Sequence, residues 1–176
     1  MLVTTAGGRF FSNGLDLDWF GAHPNELGEY VARVQGLFAK VLTLPAPTIA
    51  AINGHPFGAG AMLAMAHDFR VLREDRGYFC FLEVDIQIPF TPGMAALIQG
   101  KLQPQAAVEA MTTGRRYGRP DAKAAGIVDW VADEATLHES AAGKGVELAS
   151  KHRETLRQIK QATYASAIEA LQRRKD

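Results

Sequence analysis

The chain has 176 residues, 47% of them hydrophobic and 22% charged, the composition of one globular domain with enough apolar surface for a sizeable core. Nineteen Lys and Arg balance nineteen Asp and Glu, so no overall charge draws the chain to nucleic acid or to an anionic membrane, which leaves room only for a small local basic patch. The single cysteine, Cys80, excludes an intrachain disulfide and points to a reducing compartment; its apolar surroundings fit an inert buried thiol better than a nucleophile.

In chain order, residues 2–5 read as a strand ending at Gly7-Gly8, followed by a loop over 9–16. Residues 25–44 carry Leu27, Val31, Val34, Leu37, Phe38, Val41 and Leu42 at spacings of three and four, which predicts an amphipathic helix closed by Pro45 and Pro47. A β-branched strand over 48–52 leads into a glycine-rich turn at 53–60 and a small-residue helix over 61–67. Residues 69–72 and 78–82 read as strands about a turn at Asp75-Arg76-Gly77. Helices are expected from Thr91-Pro92-Gly93 to 102, over 104–112 and over 120–125, with a loop at 114–118 and a last strand at 127–131. Asp133 and Thr136 are candidate caps for the next helix, and a final helix is expected over 153–173. Strands alternating with helices predict an α/β domain with mostly parallel pairing. A strand at the very start, with nothing before it, reads either as a fragment or as a sheet edge that a partner covers.

No run is long and apolar enough to span a bilayer, no basic-then-apolar leader opens the chain, and the ending Arg173-Arg174-Lys175-Asp176 is not a peroxisomal tripeptide. The expectation is a cytoplasmic protein with no membrane and no nucleic-acid partner.

The chemistry concentrates on one carboxylate. Glu83 lies in Phe79-Cys80-Phe81-Leu82-Glu83-Val84-Asp85-Ile86-Gln87-Ile88-Pro89-Phe90, where an isolated carboxyl group has a raised pKa and can move protons near neutral pH. Two glycine-marked turns precede it, Ser12-Asn13-Gly14-Leu15-Asp16 and Asn53-Gly54-His55-Pro56-Phe57-Gly58-Ala59-Gly60, and turns of this kind aim backbone N–H groups at a developing negative oxygen. Together they point to proton transfer beside a carbonyl. Asp85, two residues along a strand, is expected on the same face as Glu83, as a rival base, a partner or a loop anchor.

The first turn, from Arg9 to Leu17, resembles the first oxyanion loop of the crotonase (enoyl-CoA hydratase/isomerase) superfamily, and residues 48–60, continuing to His67-Asp68, resemble its second. Gly114-Arg115-Arg116-Tyr117 and Ala124-Ala125-Gly126-Ile127-Val128 resemble its later helix–strand signature. Within the superfamily the chain looks most like the Δ3,Δ2-enoyl-CoA isomerases of the plant peroxisomal type. Members begin well upstream, so the chain reads as N-terminally short. The resemblance implies a spiral of ββα units with C-terminal helices: a single domain over 1–176, with a spiral core at 1–135 and a helical region at 136–176.

The same resemblance assigns the oxyanion amides to Leu15 and Ala59 and the base to Glu83. It places Arg9, Asn13, Gly14, Asp16, Gly58 and Gly60 along an acyl-CoA substrate, with Arg9 near the CoA phosphates and Asp16 capping the short helix that follows. Hydratases of the superfamily carry a second glutamate where this chain has Met62, so one carboxylate is left, enough to shuttle a proton across a 3-enoyl thioester. The implied activity is isomerisation of 3-enoyl-CoA to 2-trans-enoyl-CoA by a homotrimer or hexamer, with no metal and no cofactor beyond the coenzyme A carried by the substrate. Trp19, Phe20 and Phe57 are candidates for an acyl tunnel or for core packing. His55 reads as a turn residue, an acyl-chain contact or an orienter of Glu83. Lys160, Arg173, Arg174 and Lys175 read as a solvated face or as basic contacts to CoA. The alternatives are a weak hydratase or thioester hydrolase, a non-catalytic acyl-CoA-binding subunit and, least supported, a nucleotide-binding turn, which lacks Gly-x-Gly-x-x-Gly.

Overall fold

The computed structural model describes residues 1–173. Its larger sheet has four parallel strands in the order β1 (Leu2–Thr4), β3 (Thr48–Ile52), β5 (Phe69–Arg73), β6 (Trp130–Ala132). A smaller parallel pair, β2 (Phe10–Ser12) with β4 (His55–Pro56), joins Phe10 to His55 and Ser12 to Pro56. The chain therefore repeats a strand in the large sheet, a short strand in the small one and a helix. After β1 and β2 come α1 (Leu17–Ala22), a 3-10 turn (Pro24–Glu26) and α2 (Leu27–Leu42); after β3 and β4 comes α3 (Ala59–Ala66).

Every residue of β3 is buried, as expected of a central parallel strand covered on both faces. The remaining helices are α4 (Pro92–Gln99), α5 (Pro104–Thr113), α6 (Arg119–Ala124), α7 (Leu137–Leu148), α8 (Arg153–Thr163) and α9 (Ala165–Gln172). The main core runs from Phe38 and Leu42 of α2 through Ile52, Met62 and Met65 to Leu97 and Ile98 of α4, and Ala167 and Leu171 of α9 belong to it. Thr91 caps α4, accepting from Met94 N–H at 3.1 Å while its hydroxyl donates to Gln35 Oε1 at 2.7 Å, which ties α4 to α2.

Several expectations are corrected. The loop over 9–16 contains β2, because its backbone finds a partner in β4. Residues 78–82 form only isolated bridges, Phe57 to Cys80 and Phe79 to Tyr117. Residues 83–87 are a turn: Asp85 and Ile86 N–H donate to Leu82 O at 3.0 and 3.1 Å, and Ile88 N–H donates to Glu83 O at 3.0 Å. These bonds satisfy the backbone locally, and the alternating Val84, Ile86 and Ile88 that read as strand stand exposed. Thr136 makes no side-chain cap. The final helix breaks at Tyr164 into α8 and α9.

Lys160 corrects the reading of a solvated basic face. It is 4% exposed, pairs with Asp68 at 2.6 Å and donates to Leu44 O at 3.1 Å and Ala46 O at 2.8 Å. It fastens α8 to the entry of β3, while Arg173 pairs with Glu169 in solvent and Arg174 and Lys175 lie outside the described residues. Removing one partner of a buried pair strands the other. Lys160→Met is expected to lower unfolding free energy by about 3 kcal/mol, read as a lower urea midpoint at unchanged slope.

Candidate active site

The two glycine-marked turns meet at the carboxyl ends of β1 and β3, where open α/β sheets place their ligands. They are stitched together by backbone bonds. Phe57 N–H donates to Ser12 O at 2.9 Å, Gly58 N–H to Cys80 O at 3.1 Å and Gly60 N–H to Phe57 O at 2.8 Å. Ser12 Oγ accepts from Gly14 N–H at 3.3 Å and holds the first turn in shape. Gly58 has φ +50°, a conformation that disfavours any side chain. A Cβ on Gly60 would land on the Ser12 carbonyl and lie 2.6 Å from Ser12 Cβ, so α3 crosses β2 at backbone contact.

This packing brings Gly14 against the start of α3. A Cβ on Gly14, itself at φ +94°, would stand 3.4 Å from Ala59 N and 3.1 Å from Phe57 O. Among the described residues neither Leu15 N–H nor Ala59 N–H donates a hydrogen bond within the protein. Ala59 opens α3, so its free amide is one of the orphan donors that make a helix start attractive to negative charge.

Glu83 closes the site from the third side. It is 7% exposed, and a Cβ on Gly58 would come 3.3 Å from its Oε1. Its Oε2 is buried with no hydrogen-bond partner, and among the described residues no cation pairs with it. Burial pushes its pKa up from 4.5 to about 7, opposed only by a bond from its own backbone. The arrangement is a protonatable carboxyl packed on Gly58, next in sequence to the free Ala59 amide, with Gly14 and the free Leu15 amide brought against the same turn.

The other expected residues fall as follows. Asp16 caps α1, accepting from Trp19 N–H at 2.9 Å. Asn13 is exposed in the first turn. Met62 is 1% exposed one turn into α3, part of the core and not a solvent-facing group. Asp85 does not share a face with Glu83: the turn carries it onto Gly114, where a Cβ would meet its Oδ2 at 2.6 Å, which makes it a loop anchor. His55 is drawn away from Glu83 into a stack with Tyr78, its Nδ1 accepting from Tyr78 N–H at 3.1 Å. Trp19 stacks on His23 at 4.4 Å and Phe20 meets Tyr30 edge-on, so both pack locally between α1 and α2. Phe57 packs on Phe10 and His55. Arg9 is exposed at the start of β2, over the Phe10 ring.

Two contributions were missed in the sequence. The Cys80 backbone both accepts from Gly58 and donates to Pro56 O at 3.2 Å, and the Ser12 hydroxyl braces Gly14; of these, only the Ser-x-Gly spacing was visible in advance. The Cys80 thiol itself is pushed up to about 11 by burial and donates to Gly114 O, an inert arrangement. Among the described residues no group of three or more His, Cys, Asp or Glu side chains stands where it could hold a metal ion, and no helix is long and apolar enough to cross a membrane.

Residues 1–176 match the family described as enoyl-CoA hydratase/isomerase. The chain is 41% identical over 137 residues to the peroxisomal enoyl-CoA delta isomerase 2 of Arabidopsis thaliana, covering 73% of this chain and 57% of that protein. It is 36% identical over 158 residues to enoyl-CoA delta isomerase 3 of the same plant, covering 86% and 66%. The chain thus spans less than two thirds of the length of these relatives. Human mitochondrial Δ3-Δ2-enoyl-CoA isomerase superposes with a TM-score of 0.90 at 23% identity, over 96% of this chain and 67% of that one, a likeness of fold. The crotonase-like fold implied by the resemblance is the fold observed, and the chain belongs to the enoyl-CoA hydratase/isomerase family.

Proposed function

We propose that this chain moves the double bond of a 3-enoyl-CoA thioester to the 2-trans position, with Glu83 as the only base and the Leu15 and Ala59 amides as the oxyanion donors. The carrying observation is the buried, unpartnered carboxyl of Glu83 set against Gly58. Ionised Glu83 takes a proton from C2, the electron pair spreads through a dienolate, and negative charge collects on the thioester oxygen. Two fixed amide dipoles stabilise that charge without having to reorganise. The protonated carboxyl then returns its proton to C4, which restores the thioester and leaves the double bond conjugated. A pKa near 7 suits a group that must first accept and then donate.

Hydration asks for more. One group activates water and another protonates carbon, and the second position is the apolar, buried Met62. Asp85 and His55, the residues that would have to replace a missing carboxylate, lie on Gly114 and Tyr78 respectively. Names of relatives that include isomerases support the same reading. Arg9, Asn13, Gly14, Asp16, Gly58 and Gly60 remain the proposed substrate contacts, coenzyme A enters only as part of the substrate, and the proposed assembly is a homotrimer or hexamer. The proposed compartment is the cytoplasm, with the peroxisome named for one relative as the second reading.

Turnover of a 3-cis-enoyl-CoA tests the assignment. Glu83→Gln is expected to lower kcat about a thousandfold, within the range for loss of a general base. In the unsubstituted chain kcat/KM should rise with pH through about 7 and then level, because the ionised carboxyl is the active form. Rapid formation of a 3-hydroxy product from 2-trans-enoyl-CoA would overturn the isomerase reading in favour of a hydratase.

The same substitution carries a stability signature. The folded carboxyl titrates near 7 and an unfolded one near 4.5, so below pH 4.5 both states are neutral and Glu83 imposes no charge penalty. As pH rises from 4.5 to 7 the unfolded state ionises first, and the folded state loses stability until the loss is complete above 7. At pH 8 Glu83→Gln is therefore expected to be more stable than the parent by roughly 2–4 kcal/mol, with the gap closing at pH 4.5, measured by urea unfolding of both chains.

A further inference from the structure

Ser12 is bonded to both glycine-marked turns at once. Its hydroxyl oxygen accepts from Gly14 N–H at 3.3 Å in the first turn, and its carbonyl accepts from Phe57 N–H at 2.9 Å in the second. Its side chain lies against the opening of α3, where a Cβ on Gly60 would stand 2.6 Å from Ser12 Cβ and 2.7 Å from its Oγ. The small sheet sets this up. Two steps on β2, from Phe10 to Ser12, match the single step from His55 to Pro56 on β4, and an irregularity of this kind re-aims a side chain.

We infer that Ser12 is the positioning residue of the oxyanion hole: by occupying the amides of Gly14 and Phe57 it leaves those of Leu15 and Ala59 open to a thioester oxygen, and it sets the spacing between them. The inference rests on the isomerase reading above and extends it to a side chain that works through the main chain.

The backbone donors can be accounted for one by one. Each N–H in a turn either finds an acceptor or stays open. Phe57 donates to Ser12 O, Gly58 to Cys80 O at 3.1 Å and Gly60 to Phe57 O at 2.8 Å, so among the described residues Ala59 alone is left open between 57 and 60. In the first turn Gly14 is taken and Leu15 is left. The open pair is defined by which neighbours are closed, and Ser12 closes one in each turn.

Rigidity follows from the same bond. Gly14 has φ +94° and no side chain, so its peptide units rotate cheaply unless something holds them. A serine hydroxyl bonded to the N–H two residues on is a local device that does so. In Ser12→Ala the Gly14 N–H loses its acceptor and becomes a second open donor, which destabilises the turn as it stands. The Leu15 amide then loses its fixed direction, and donors that must reorganise stabilise a developing charge less well.

The contact with Gly60 fixes the other half of the hole. α3 cannot slide along β2 without meeting the Ser12 main chain. Its first amide is thereby kept beside the first turn, with the Cβ position of Gly14 at 3.4 Å from Ala59 N.

Infrared spectroscopy of the full chain with bound hexanoyl-CoA, isotopically labelled at its carbonyl, reads the hole without turnover, because a saturated chain has no double bond to move. Hydrogen bonds from the two amides weaken the labelled carbonyl and lower its stretching frequency. The parent chain is expected to lower it, and Ser12→Ala to lose most of that drop. With 3-cis-enoyl-CoA, Ser12→Ala is expected to lower kcat about tenfold or more. KM should stay nearly unchanged, since the lost interaction belongs to the transition state. The pH midpoint of kcat/KM should stay near 7, because the surroundings of Glu83 are untouched. Circular dichroism verifies the fold of the variant. A frequency drop that survives in Ser12→Ala overturns the inference. So does a pH midpoint that moves together with kcat, which places the serine in support of Glu83 and not of the amides. A parent chain that binds the thioester without any drop, or does not bind it, removes the hole itself. A drop that depends on Ser12 in a chain that never isomerises 3-enoyl-CoA sustains the positioning role and removes the isomerase. Turnover that Ser12→Ala leaves intact does the reverse.

Discussion

A carboxyl group held out of water with nothing to neutralise it is the constraint around which the rest of this structure is arranged. Among the described residues Glu83 offers its Oε2 to no donor, and its Oε1 lies at the flank of Gly58. Left to itself a chain relaxes such a group into solvent, because an unsatisfied buried polar atom destabilises the fold. Here relaxation is blocked from both sides. The turn after Glu83 is closed by three backbone bonds and by Gln87 at φ +59°, the one non-glycine with positive φ among the described residues. Asp85 presses that turn onto Gly114. The strain is local and the support comes from neighbours, the pattern expected where a site is held ready for a ligand.

The same logic explains the glycines. Gly60 admits the Ser12 backbone at contact distance, and Gly58 takes a conformation no larger residue adopts freely. If either turn moved by the width of a methyl group, the amides of Leu15 and Ala59 would no longer share a neighbourhood with the carboxyl. A rigid parallel sheet behind them, with β3 wholly buried, keeps that from happening. Met62 and Met65 on the following helix fill the core beneath the turns, so α3 gives the site a firm floor as well as a free N-terminal amide.

Much of this was readable in the residues. The spacing of apolar positions located α2 within two residues of its observed ends, β3 was placed at its observed bounds, and Asp16 was recognised as a cap. Glycine-marked turns and an isolated carboxylate pointed to a candidate site, because each depends on local chemistry, and the structure brings those turns and Glu83 together. What was not legible depends on contacts distant in sequence. Val84, Ile86 and Ile88 alternate like a strand, yet no neighbouring edge was there to pair with, so a turn won. Lys160 sits on a helix rich in charged and polar residues, and only the fold reveals that Asp68 and two carbonyls of the loop before β3 wait for it. The placing of Arg9 over Phe10 and of Arg116 over the neighbouring Phe57 joins residues more than a hundred positions apart, beyond the reach of any periodicity.

The two ends of the large sheet then tell function apart from architecture. At the entering ends of β3 and β5 the buried polar groups are satisfied. Arg70 donates to Ile127 O, His67 O and Asp129, Lys101 donates to His67 O, and Lys160 holds Asp68. His67 gives its Nδ1–H to Leu63 O and accepts at Nε2 from Thr4, which fixes it neutral, and burial lowers its pKa to about 4. Its folded form disfavours the proton, so its contribution is whole above pH 6.5 and declines as pH falls toward 4. Glu83 does the opposite over nearly the same interval: its folded form favours the proton and stability declines as pH rises toward 7. One group is buried in the state its partners require. The other is buried in a state that no partner among the described residues requires, and the substrate proposed for the leaving ends of the strands would give that proton a destination.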